Sequence, residues 1–108
     1  MRERRTNKLS DLWRDLLSQF LEKESDRQTI ITITHVELMH ESKKARCYIS
    51  IFPPDKENVA LGFARRRAGK ARKFLATRTK MRFVPELEFE LDLGEKNRQR
   101  IDELLKKK

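Results

Sequence analysis

From Glu86 to Leu93 the chain alternates without a break. Leu87, Phe89, Leu91 and Leu93 point one way, and Glu86, Glu88, Glu90 and Asp92 point the other. A period of two belongs to an extended strand, because a helix would scatter those carboxylates around its axis. A strand with one apolar and one acidic face needs sheet neighbours, and it needs a second layer over its apolar side. The rest of the chain must therefore supply strands to pair with it and helices to cover it.

It supplies both. Leu9, Leu12, Trp13, Leu16, Leu17, Phe20 and Leu21 recur at helical spacings, which predicts a helix from about Lys8 to Glu24 with Asn7 as its cap. Its polar side mixes Asp11, Arg14, Asp15, Glu22 and Lys23, whereas a membrane-surface helix would be basic there. Two β-rich runs follow, Thr29 to Met39 and Ala45 to Phe52, joined by the polar His40–Lys44 loop as a hairpin. Pro53 and Pro54 stop the second strand because proline donates nothing to a sheet ladder. Asp55 is the expected cap of a helix starting near Lys56 and reaching Thr77.

That helix cannot run straight. Ala60, Leu61, Phe63, Ala64, Ala68, Ala71, Phe74 and Leu75 form a broad apolar arc, but Arg67 falls inside it, where an unpaired charge is costly. A bend near Gly69 is expected to free Arg67. The opposite face reads Gly62, Arg66, Gly69, Lys73. After the third strand, Gly94 ends the sheet and Glu95 to Lys107 reads as a short closing helix. The order helix, strand, strand, bent helix, strand, helix defines a two-layer α+β domain with a three-stranded sheet. At 108 residues it is one domain, 1–108, with about 1–6 and 106–108 expected to be flexible.

The chain offers little for catalysis. His35 and His40 are its two histidines, and neither has a nucleophile or carboxylate patterned around it. Cys47 alternates with Ile49 and Ile51 as a small buried hydrophobe, and one cysteine forms no internal disulfide, which suits a reducing compartment. No zinc spacing, phosphate-binding loop or dinucleotide fingerprint occurs. The N-terminus lacks the apolar core of a signal peptide, and no apolar stretch is long enough to span a bilayer. A cytoplasmic protein is expected that is not an enzyme, with no metal, cofactor or small-molecule substrate.

Charge is more informative. Net charge is +9, and between Asn58 and Pro85 there is no acidic residue. Arg65, Arg66, Arg67, Lys70, Arg72, Lys73, Arg78, Lys80 and Arg82 crowd the second half of that span. Such a run concentrates positive potential and draws in phosphate polyanions. Glycine inside a helix costs about 1 kcal/mol relative to alanine. At Gly69 a missing side chain lets a sugar-phosphate backbone approach the main chain, which is how a KH domain clamps a single strand. Arg65, Arg66, Arg67, Gly69, Lys70, Arg72, Lys73, Lys80 and Arg82 are the predicted RNA contacts. Arg4, Arg5 and Lys8 form a second basic patch at the start of the first helix. The acidic strand should repel phosphate from the open sheet face, so the ligand is expected along the bent helix. A duplex-DNA module or an adaptor for an acidic protein would use the same charge, but this helix offers few side chains to read base edges.

Several segments resemble the ribosome-binding factor A family: Val36-Glu-Leu, Ala45-Arg-Cys-Tyr-Ile-Ser-Ile, Ala68-Gly69, Met81-Arg-Phe-Val-Pro-Glu-Leu-Glu-Phe89 and Arg100-Ile-Asp-Glu-Leu-Leu105. The resemblance covers nearly the whole chain, and the Arg-Phe-Val-Pro-Glu-Leu block is its most specific part. It implies a type II KH-like fold whose helix kink is an Ala-x-Gly segment. By position Gly69 is the kink glycine, Ala68 its middle residue, and Arg67 stands where the family has alanine. It further implies a monomeric, non-catalytic factor that binds immature small ribosomal subunits and small-subunit rRNA and supports late maturation and rRNA 5′-end processing.

Overall fold

A computed structural model describes residues 2–39, 43–81, 83–94 and 104–105, with the backbone alone for residues 2–8. Helix α1 (Arg2–Glu24) leads into strands β1 (Ile30–Met39) and β2 (Lys44–Phe52). A 3-10 turn (Pro54–Lys56) precedes α2 (Glu57–Arg66) and α3 (Ala68–Arg78), and β3 (Glu86–Leu91) follows. The sheet order is β1-β2-β3, with β1 antiparallel to β2 and β2 parallel to β3. Parallel neighbours need a long crossover, and α2 with α3 provides it. This is the expected two-layer α+β, KH-like architecture.

One sheet face meets all three helices. Trp13, Leu17, Phe20 and Leu21 of α1 pack with Ile31, Ile33, Val36, Ala45, Cys47, Ile49, Leu87 and Phe89 of the sheet. Ala60, Ala64, Ala71 and Leu75 bring α2 and α3 onto the same core, and the small alanines let these helices lie close. Leu12, expected on the buried stripe, is instead exposed.

Inward-facing residues of β1 change parity, from Ile31 and Ile33 to Val36 and Leu38. A β-bulge accounts for this: the register passes from Ile33↔Ile49 to His35↔Tyr48, leaving Thr34 as the extra residue. The Thr34 hydroxyl donates to Asp92 Oδ2 at 2.6 Å, across the sheet.

Several boundaries differ from the sequence reading. Helix α1 begins at Arg2, so Asn7 lies inside it rather than at its start. Asp55 sits in the 3-10 turn, and α2 starts after Lys56 with no side-chain cap. Strand β3 ends at Leu91, and Leu93 and Gly94 are already helical. Leu104 and Leu105 are helical too; the rest of the expected closing helix, like residues 40–42 of the hairpin loop, lies outside the described residues.

Candidate nucleic-acid interface

The interruption between α2 and α3 falls on Arg67, two residues before Gly69. Arg67 has φ −92° and ψ 2°, outside the helical basin of its neighbours. Its N–H is shared between the carbonyls of Phe63 and Ala64, both at 3.1 Å, and its own carbonyl accepts from Ala71 at 2.8 Å to restart the helix. Gly69 is therefore not the hinge, and no glycine has a positive φ. Nor is Arg67 freed to solvent. It is half-buried, with its guanidinium 5.1 Å from the centroid of the Phe63 ring and its Nε buried without a hydrogen-bond partner. Cation–π contact offsets part of the charge's desolvation. The helix breaks where its one misplaced cation must fit.

Gly69 has a different property. A Cβ built on it would meet nothing within 4 Å, so internal packing does not require glycine there. It sits exposed in the first turn of α3, and Arg66, Lys70 and Lys73 around it are exposed as well. Lys70 reaches Glu24 of α1 at 3.5 Å. Lys80 is exposed beyond the end of α3.

Two of the predicted cations are committed to the fold. Arg65 Nε donates to the carbonyl of Phe89 at 3.1 Å, and Arg72 Nε donates to the carbonyl of Val84 at 2.7 Å. The Arg72 guanidinium also lies 5.4 Å from the Phe83 ring centroid. In β3 the N–H of Glu86 and Asp92 turn toward β2, so odd-numbered residues such as Phe89 present their carbonyls on the outer edge. Arg65 thus caps a sheet edge that would otherwise be open. Arg78 stacks over Phe74 at 5.1 Å, and Phe74 in turn meets Phe20 of α1. Arg82 lies outside the described residues, and Arg4, Arg5 and Lys8 belong to α1 with side chains outside the described set.

The acidic row of β3 is not a bare, repelling surface. Lys44 holds Glu88 at 3.1 Å and Arg46 lies 3.8 Å from Glu90, because parallel pairing sets β2's basic residues beside β3's carboxylates. The hydrogen bond from Lys44 to Glu88 raises the lysine's pKa above its ordinary value. The outer sheet face is a self-compensated lattice of charge with His35 stacked on Tyr48. Alternation alone gave no sign of this, because the compensating cations come from another strand. Among the described residues, ion pairs join carboxylates to Lys44, Arg46 and Arg14, and Lys70 is the member of the basic run seen in one.

A three-stranded α+β sheet with a broken helix whose outer side is cationic defines a small KH-like protein. The model of the ribosome-binding factor A family matches residues 5–105, and the chain belongs to that family. A ribosome-binding factor A from Solibacter usitatus is 34% identical over 99% of this chain and 89% of its own length. One from Chlorobium luteolum is 35% identical over 95% and 90%. The fold is also that of the crystal structure of ribosome-binding factor A from Thermus thermophilus, with a TM-score of 0.71 and 24% identity over 80% of this chain and 93% of that one.

Proposed function

We propose that this chain is a ribosome-binding factor that docks on immature small ribosomal subunits, contacting small-subunit rRNA through the outer side of α2 and α3. It assists late maturation, including processing of the rRNA 5′ end, and leaves when maturation ends. Family membership supports ribosome binding as its task. The observation that carries the RNA face is the exposed surface of Arg66, Gly69 and Lys73, where the absent Cβ leaves main chain open between cations. Phosphate oxygens suit such a surface, and sequence-independent backbone contact needs no base-reading side chains. The work is binding, performed by a monomer without a catalysed reaction.

Co-sedimentation with precursor and mature small subunits tests this reading. Wild-type protein is expected with the precursor, and Arg66→Glu/Lys73→Glu is expected in the supernatant. If five or six phosphates are neutralised, log K against log salt falls with a slope of roughly −4. Equal recruitment of both proteins, or binding indifferent to salt, overturns the assigned face. Duplex DNA outcompeting rRNA fragments would assign the face to DNA, and recruitment that survives disruption of the rRNA surface would assign it to a protein.

A further inference from the structure

On the far side of α2 from β3, a cleft of about 270 Å³ opens between the C-terminal end of α1, the start of β1 and α2. Ile31, Val59, Ala60 and Phe63 supply its apolar lining. Val59 is 70% exposed and so accessible to a ligand at the cleft. The charged residues of the cleft are divided by element. Lys56 and Arg66 stand on the α2 side, whereas Glu24 and Asp26 stand at the end of α1.

We infer that this cleft receives one unstacked nucleobase of the bound RNA and favours bases that carry an exocyclic amine. The inference rests on the reading that the α2–α3 face binds RNA. At about 270 Å³ it has room for a single heterocycle. Its walls suit one nucleotide in one orientation. Val59, Ala60 and the Phe63 ring offer an apolar and aromatic surface for the base, as in single-strand binders generally. Arg66 and Lys56 flank it for the adjoining phosphates. Glu24 is shared with Lys70, but the Asp26 carboxylate opposite would repel a phosphate and can accept a hydrogen bond from an amino group such as cytosine N4. Asp26 spends Oδ1 on the main-chain N–H of Gln28 at 3.0 Å, and Oδ2 is the acceptor offered to the base.

The cleft is also continuous with the cationic face. Arg66 belongs to both: its Nη1 lies 3.4 Å from where a Gly62 Cβ would stand, so the side chain runs back along α2 toward the cleft. Glu24, which lines the cleft, is the partner of Lys70 beside Gly69. A strand crossing the break at Arg67 can therefore turn one base inward without leaving the basic surface.

Fluorescence anisotropy with labelled oligocytidylate and oligouridylate of equal length decides the matter. Wild-type protein should bind the cytidine strand more tightly. The neutral substitution Val59→Gln, at an exposed position, should weaken that binding about fivefold or more while leaving the salt slope unchanged. Asp26→Asn should abolish the preference for cytidine over uridine. Unchanged binding by Val59→Gln, alongside weakened binding by Arg66→Glu/Lys73→Glu, overturns the base pocket and leaves the cationic face standing. Loss of subunit co-sedimentation by Val59→Gln with normal oligonucleotide binding also overturns it, assigning the cleft to a protein side chain. Failure of the wild-type protein to bind either strand at low salt would remove both readings together.

Discussion

Arg72 donates its Nε hydrogen to the carbonyl oxygen of Val84 at 2.7 Å, tying α3 to the segment that enters β3. The same guanidinium covers Phe83, so one side chain fixes both the main chain and an exposed ring. Arg65 makes the equivalent anchor from α2 to Phe89. A run of basic residues is thus divided between cations that hold the helix to the sheet and cations that face outward.

That division predicts unequal effects on stability. Arg72→Ala should lower the unfolding free energy by about 1.5 kcal/mol, from a hydrogen bond to a charged donor together with the lost stacking. Arg72→Lys should recover little, since an ammonium reproduces neither the Nε geometry nor the stack. Arg66→Ala and Lys73→Ala should stay within about 0.5 kcal/mol of wild type. Urea denaturation midpoints measure all four; similar losses at Arg72 and Lys73 would refute the anchoring role.

Gly69→Ala should separate stability from binding. The position is helical, and an added Cβ meets nothing within 4 Å. The domain should gain about 0.5–1 kcal/mol from helix propensity and a less flexible unfolded chain. RNA affinity should nevertheless fall at least about fivefold, because the methyl group stands where the ribose-phosphate approaches. A stabilised variant with unaltered affinity would show that RNA does not approach the main chain at Gly69.

Arg67→Met keeps an unbranched stem against Phe63 and deletes the buried Nε that has no partner. An unsatisfied buried donor costs about 1–3 kcal/mol, more than the roughly 0.5–1 kcal/mol of cation–π contact that is lost. A net gain near 1 kcal/mol is expected, visible as a rise in Tm of about 4 °C or more. A lower Tm would mean that the stacked guanidinium stabilises the break more than its burial costs.

Burial pushes the Cys47 thiol up to about 12 from its ordinary 9.0. The native protein should therefore resist alkylation at pH 8 and react once unfolded in urea. Because the folded pKa is raised, stability is unaffected below pH 9 and falls as pH climbs from 9 toward 12, where the unfolded state releases a proton that the native state retains. The slope approaches about 1.4 kcal/mol per pH unit. Cys47→Ala should flatten the earlier part of this decline; an identical alkaline profile would exclude the thiol as its source.

The sequence alone determined the order of elements from α1 to β3, most of the buried helix positions and the span in which positive charge accumulates. Periodicity is a local property, and apolar residues at steps of two or of three and four name the buried side before any neighbour is known. It also determined that the second helix must break, since Arg67 interrupts an otherwise apolar arc. Even the bulge left a local trace, in the three-residue step from Ile33 to Val36. Tertiary structure alone decided which cations remain available. The anchors of Arg65 and Arg72, the pairing of β3's carboxylates with Lys44 and Arg46, and the cleft shared by Glu24, Ile31 and Phe63 all join residues distant in the chain. Whether a charge is spent or offered depends on which partner lies within a few ångströms, and that distance is fixed only when the layers close.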